Sequence, residues 1–285
     1  MIKVNVAVAF GPNQYNENLN VKIDKFAGGE INPKIEPTNW NFVRPDVTIT
    51  AHIKDAGLLI ALLLTADACR RRWPGCVIRL FIPYLPYARQ DRVCNEGEAL
   101  SLAVVSQMIN SIKAETVTIV DAHSEGAMVG IDNCINVSAL HYIKKAGVSK
   151  GMVMIAPDAG ALKKTYQYAA ALESPEVIVA SKHRDTATGN ISHTEIYGDV
   201  EGLDVLICDD ICDGGRTFIE LAKKLDEKGV KSKTLFVTHG IFSHGYDTVA
   251  DAFSKVITTN SFHPGAHGTV CPDGQRRDKF LWVQV

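Results

Sequence analysis

Neither G-x-G-x-x-G nor G-x-x-x-x-G-K-[ST] occurs anywhere in the 285 residues, so a dinucleotide fold and a P-loop fold both lose their main support. No C-x-x-C pair occurs, and the seven cysteines are an odd number. Reduced thiols fit this better than a disulfide framework, and a cytoplasmic location is expected. Long hydrophobic runs are missing too. GLLIALLL (57–64) falls far below the ~18 residues of a membrane span, and VNVAVAF (4–10) is shorter than a signal-sequence core and has no cleavage-like site. Charge of one sign is not in excess: a net charge of −2 gives no global electrostatic case for nucleic acid or a membrane surface. There is no G-x-S-x-G elbow, which leaves Ser124 beside His123 without the setting of a hydrolase, and Cys94, Cys208 and Cys212 read as incidental thiols or small hydrophobes. Covalent catalysis has no clear candidate.

What is present is organised around residues 203–225, LDVLICDDICDGGRTFIELAKKL. LDVLIC is a short, branched, apolar run of the kind that forms a buried parallel strand. Asp209 and Asp210 follow it directly, and then Asp213, Gly214, Gly215, Arg216 and Thr217. Adjacent glycines let the backbone turn sharply and aim successive N–H groups at one point, an anion cradle. Phe218, Leu221, Ala222 and Leu225 keep the i, i+3, i+4, i+7 spacing of an amphipathic helix, with Thr217 as its expected N-cap. Carboxylates beside such a cradle suit a sugar phosphate, the acids accepting from ribose hydroxyls or holding Mg²⁺ and the amides binding the phosphate. A plain polar turn is the simpler alternative.

The rest of the chain repeats the scheme. LNVKIDKF and INPKIEP form a hairpin about Ala27-Gly28-Gly29, DVTITAHI is a strand, a helix spans about Asp55 to Arg72, and CVIRLFIPY leads into a loop carrying Arg89, Gln90, Asp91 and Arg92 before the helix ALSLAVVSQMINSIK. Two guanidinium groups in that loop suit phosphates, although a solvated charge run would look the same. TVTIV ends in Asp121-Ala122-His123-Ser124, MVMIA in Pro157-Asp158-Ala159-Gly160, EVIVAS in Lys182-His183-Arg184-Asp185, TLFVT in His239-Gly240-Ile241-Phe242-Ser243 and VITTNS in a loop rich in Gly, Pro and His. Apolar strand, reactive tip, helix is the alternation of a parallel α/β fold, whose ligands bind beyond the carboxyl ends of the strands. His263, His267 and Cys271 are spaced as zinc ligands but lack a fourth partner and lie among loop glycines and a proline.

FAGGE, PYARQDR, GEALS, DAHS, APDAG, the K-x-R of SKHR, LICDDICDGGRT, VTHGIFS and TTNS, in this order and over most of the chain, resemble the ribose-phosphate pyrophosphokinases. The resemblance implies an α/β protein of two phosphoribosyltransferase-like domains, each a mainly parallel sheet flanked by helices. Residues 1–137 would carry the ATP-binding loop, and 138–285 the ribose-phosphate and catalytic loops. It implies that the anomeric hydroxyl of ribose 5-phosphate attacks the β-phosphorus of ATP and AMP leaves. By the same resemblance Arg89, Gln90 and Asp91 hold the nucleotide, and Phe26 and Glu30 of a neighbouring subunit reach the adenine, so a homo-oligomer, dimer or hexamer, is expected. His123 and Asp158 would ligate Mg²⁺. Lys182 and Arg184, with His123, would act in catalysis, and Asp209, Asp210, Asp213, Gly214, Gly215, Arg216 and Thr217 would take the ribose phosphate.

The departures bear on the acceptor and on regulation. Gly28 stands where the family carries a polar side chain, the R-x-P-I-S-A-K wording after ARQDR is missing, and no C-terminal helix follows FLWVQV. In the 5′-phosphate loop the family reads D-T-x-G-T, whereas this chain reads Asp213-Gly214-Gly215-Arg216-Thr217. The lost threonine and the added cation suit a ribose whose 5′-phosphate is itself esterified, so ADP-ribose is an alternative acceptor to ribose 5-phosphate. A phosphoribosyltransferase would not need the ARQDR, DAHS and K-x-R set, and a non-catalytic synthetase partner should have lost metal or loop residues that this chain retains.

Overall fold

Strict alternation builds the first sheet. In DVTITA, Val47, Ile49 and Ala51 are fully buried while the residues between them are not, and in VIRLFI the same holds for Ile78, Leu80 and Ile82, the period-2 pattern of a strand with a core on one side. The computed structural model describes residues 1–10, 13–38, 42–184 and 191–285, and only the backbone at 9–10, 13–14, 182–184 and 191–194. The chain divides into two units, Met1–Val137 and Ser138–Val285, each with its own apolar core.

In the first unit β1 (Ile2–Phe10), β2 (Asn13–Lys25) and β3 (Ile31–Ile35) run antiparallel. They are followed by β4 (Asp46–Ala51), α1 (Ala56–Arg72), β5 (Val77–Ile82), α2 (Ser101–Asn110), β6 (Thr116–Val120), α3 (Glu125–Val129) and β7 (Cys134–Val137). The sheet order is β3-β2-β1-β4-β5-β6-β7, parallel from β4 to β7. The hairpin turn falls at the expected glycines: Gly29 takes φ +98°, and the Phe26 amide donates to the Glu30 carbonyl at 2.9 Å. Helix α1 starts where Asp55 Oδ1 accepts from the Leu58 amide at 2.9 Å, and it ends on Arg70, Arg71 and Arg72, cations that complement the C-terminal end of the helix dipole. Helix α2 is shorter than expected at both ends. Glu98 accepts from the Cys94 and Asn95 amides at 3.0 and 3.1 Å, which ties the preceding residues into a loop.

The second unit runs α4 (Ala139–Lys145), β8 (Val153–Ala156), α5 (Leu162–Ala171), β9 (Val177–Arg184), β10 (Ile191–Tyr197), β11 (Asp204–Cys212), α6 (Arg216–Glu227), β12 (Ser232–Gly240), α7 (Asp247–Ala252), β13 (Lys255–Thr259) and β14 (Phe280–Val283). The order is β10-β9-β8-β11-β12-β13-β14, parallel except for the β9–β10 pair. β8 is buried at every position and β12 at all but its first, because helices cover both faces of a parallel sheet. Two expectations change here. β11 does not stop at Cys208: its ladder with β12 continues through Asp209 to Cys212, so the acidic pair belongs to the strand itself. β9 does not lead to a tip and a helix, but folds back on β10 as an antiparallel pair. Among the described residues no helix is long and apolar enough to cross a membrane.

Candidate active site

The cradle starts from the way β11 ends. Cys212 still pairs with Gly240 of β12; Gly215 then takes φ +78° and serves as the N-cap of α6, whose first residue is Arg216. Thr217 is therefore not the cap but lies in the first turn. The cause is the left-handed backbone at Gly215, which starts the helix two residues earlier than a threonine cap would. Among the described residues, the N–H groups of Gly214, Gly215, Arg216 and Thr217 donate to no other group of the chain. Four consecutive free donors at a helix N-terminus form a phosphate-binding arrangement. Phe218, Leu221, Ala222 and Leu225 are buried as their spacing requires.

Carboxylates crowd beside these donors. Asp210 is buried and Asp209 half-buried. Each accepts from the next amide in the chain: Asp209 Oδ1 from Asp210 N–H at 2.9 Å, Asp210 Oδ1 from Ile211 N–H at 2.8 Å. Burial, then the neighbouring charge of Asp210, pushes the Asp209 carboxyl up to about 8, with Asp158 adding to the rise. Asp158 is thus near enough to Asp209 to be felt, and its Oδ1 accepts from the Ala161 amide at 3.1 Å. The Cys212 thiol is pushed up to about 12 by burial and then by Asp209 and Asp213, which suits an inert small hydrophobe rather than a nucleophile.

The raised Asp209 carboxyl has a consequence for stability with a definite sign. The folded state holds this proton more tightly than the unfolded chain, so the group costs stability progressively as pH rises from about 4 towards about 8. Asp209→Asn removes that cost, and its melting midpoint relative to the unmodified protein is expected to be higher at pH 8 than at pH 5. An equal difference at both pH values would remove this account of Asp209.

In the first unit the loops after β5 and β6 approach each other. The Gln90 carbonyl accepts from the Leu102 amide at 3.2 Å. Asp91 is held below the usual carboxylate range, first by the Arg92 guanidinium, whose Nε lies 3.1 Å away, with the charge of His123 contributing. Arg89, Gln90 and His123 are exposed. Tyr87, at φ +61°, and Asp121, at φ +45°, hold strained backbone beside these residues, as Phe242 does after β12, at φ +50°; such conformations concentrate at functional loops. Phe26 is 57 % exposed at the tip of the β2–β3 hairpin, with Glu30 closing the same turn.

Several expected residues stand apart from this picture. His239 is a core residue near the end of β12, 3 % exposed, with Nδ1 2.8 Å from Ser261 Oγ, so it is not a reactive tip. Arg216 does not reach into the loop; its Nε bonds Glu220 Oε1 at 2.9 Å one turn along α6. His263 Nε2 lies 3.1 Å from the Ile241 carbonyl, and His267 Nδ1 3.3 Å from the Gly265 carbonyl. Among the described residues no three His, Cys, Asp or Glu side chains converge. The side chains of Lys182 and Arg184, and Asp185 as a whole, lie outside the described residues. Sequence reasoning missed His244. A Cβ built on Gly214 would sit 3.1 Å from two atoms of its ring; the only signal was topological, that β11 and β12 are neighbours.

A parallel α/β unit in which an acidic strand end runs into a glycine-opened helix is of phosphoribosyltransferase type, and residues 138–264 match the model of the phosphoribosyl transferase domain. Residues 13–112 match the model of the N-terminal domain of ribose phosphate pyrophosphokinase. Among its relatives, the ribose-phosphate pyrophosphokinase of Ureaplasma parvum is 31 % identical over 79 % of this chain and 68 % of its own length. That of Vibrio cholerae is 31 % identical over 78 % and 71 %. The chain belongs to the ribose-phosphate pyrophosphokinase family. Its fold is shared with the crystal structure of phosphoribosylpyrophosphate synthetase from Mycobacterium smegmatis, at a TM-score of 0.74 and 22 % identity, covering 93 % of this chain and 86 % of that one.

Proposed function

We propose that this chain transfers the β,γ-diphosphate of ATP to the anomeric hydroxyl of ribose 5-phosphate, giving phosphoribosyl diphosphate and AMP. The observation that carries the reading is the run of free N–H donors from Gly214 to Thr217 directly beyond Asp209 and Asp210. In the proposed complex those amides bind the 5′-phosphate, while Asp209, Asp210 and Asp213 accept from the ribose hydroxyls. Arg89, Gln90 and Asp91, with Phe26 and Glu30 of another subunit of a homo-oligomer, bind ATP, and the protein works in the cytoplasm.

A new bond joins the anomeric oxygen to the β-phosphorus as the bond to the oxygen bridging to the α-phosphorus breaks, so AMP departs with that electron pair and the hydroxyl proton is released. No protein nucleophile is required. Lys182 and Arg184 neutralise charge growing on the transferred group. Mg²⁺ suits the donor set, because the charges of Asp210 and Asp158 raise the proton affinity of Asp209 and a hard cation with oxygen ligands relieves that repulsion. His123 and Asp158 are the proposed ligands, and the ion supplies charge neutralisation at the phosphates.

The relatives are named for ribose phosphate, and neither feature that suggested ADP-ribose lends it support, since His244 stands over Gly214 and Arg216 is bound to Glu220. The match of residues 13–112 to the pyrophosphokinase N-terminal domain is what a simple phosphoribosyltransferase would lack. The test is kcat/KM for AMP release from ATP and Mg²⁺ with ribose 5-phosphate and with ADP-ribose. Ribose 5-phosphate is expected to be preferred. A clear preference for ADP-ribose would overturn the acceptor, and no AMP with either would overturn the reading.

A further inference from the structure

We infer that His244 is a specificity-determining residue of the phosphate loop, its imidazole donating to the acceptor's 5′-phosphate in place of the threonine hydroxyl that Gly214 lacks. The inference rests on the reading of Gly214–Thr217 as a phosphate cradle. Three backbone hydrogen bonds fasten the loop after β12 to the end of β11: Ile241 and Phe242 N–H donate to the Cys212 carbonyl at 2.8 and 3.2 Å, and Ser243 N–H to the Asp213 carbonyl at 3.1 Å. Gly245, at φ +90°, and its bond to the Phe242 carbonyl at 2.9 Å close the turn. His244 is thereby carried onto Gly214, where a Cβ would lie 3.1 Å from both Cε1 and Nδ1 of the ring. A side chain at position 214 would therefore press on the imidazole at position 244, and the ring stands beside the position from which a threonine hydroxyl would donate.

The ring is exposed, and among the described residues neither of its nitrogens has a hydrogen-bond partner. A neutral imidazole has one N–H in either tautomer, so donation to a phosphate oxygen requires no change of protonation. The donor has moved from the loop after β11 to the loop after β12, and the acceptor's phosphate is gripped by two strand tips rather than one.

The experiment uses the full chain. Calorimetric binding of ribose 5-phosphate without ATP is compared for the unmodified protein, His244→Ala, His244→Gln and the double variant Gly214→Thr with His244→Gly, alongside KM for each substrate and melting midpoints. His244→Ala is expected to weaken ribose 5-phosphate about tenfold, the scale of one hydrogen bond to a charged group, with KM for ATP and the melting midpoint unchanged. His244→Gln and the double variant should recover binding, since each restores a donor. Unchanged binding in His244→Ala, or an equal rise in KM for ATP, would overturn the inference. Binding that depends on His244 without AMP release would instead remove the diphosphoryl-transfer reading and leave this one standing. No binding by the unmodified protein at millimolar ribose 5-phosphate would overturn both.

Discussion

Gly240→Ala is expected to lower the melting midpoint by about 6–12 °C, which corresponds to about 3 kcal/mol of lost stability in a protein of this size. An added Cβ would lie 2.2 Å from Phe242 Cε2, 2.7 Å from Phe242 Cζ and 2.7 Å from Thr258 Oγ1. None of these can retreat cheaply. The Phe242 ring is buried at edge-to-face distances of 5.4 Å from Phe280 and 6.1 Å from Trp282, and its backbone already holds φ +50°. Thr258 Oγ1 accepts the Gly240 amide at 3.0 Å, so pushing it away also strands a buried donor. Because Phe242 anchors the turn that carries His244, the variant should also bind ribose 5-phosphate less well at temperatures where it is folded. Gly265→Ala is the control, since a Cβ there meets nothing within 4 Å, and thermal melts of the two variants side by side are the check. A Gly240→Ala midpoint equal to that of Gly265→Ala would show that the Phe242 cluster yields more readily than its packing implies.

Lys182→Ala and Arg184→Ala are expected to lower kcat by roughly 10² to 10³, the effect of removing a contact worth about 3–4 kcal/mol that forms in the transition state. Transfer between phosphates concentrates negative charge on the migrating group, and no protein nucleophile shares the load, so fixed cations carry much of the catalysis. Both residues belong to the last three positions of β9, paired with β10 at Thr194 and Ile191. A strand end anchored by cross-strand pairing is a firmer support than a free tip. If they act on the chemical step, kcat and kcat/KM fall together while KM moves little. Near-normal turnover in either variant would remove that residue from the mechanism.

Local pattern carried most of the architecture. The buried face of α6 and the hairpin at Ala27-Gly28-Gly29 follow from period and turn chemistry alone. What escaped the sequence depended on partners far along the chain. Aspartate is a poor strand former, yet Asp209 and Asp210 continue β11 because β12 extends alongside them, with Asp209 opposite Val237 and Ile211 opposite His239. ISHTEIY has no strong alternation of its own and becomes β10 only against β9. His239 looked like a reactive tip because a histidine after an apolar run reads as a strand end, but β12 runs one residue further and buries it against Ser261. Arg216 suggested a reach towards an outer phosphate, and Glu220, one helical turn away, holds it instead.

Phosphorus NMR of a mixture of the protein, ATP, Mg²⁺ and ribose 5-phosphate tests the central claim most directly, because it distinguishes transfer of a diphosphate from transfer of a single phosphate. Accumulation of AMP and of a sugar carrying an anomeric diphosphate in equal amounts, as ATP and ribose 5-phosphate disappear, is the expected result. ADP accumulating with a sugar bisphosphate, or ATP left intact in the presence of ribose 5-phosphate, would contradict it.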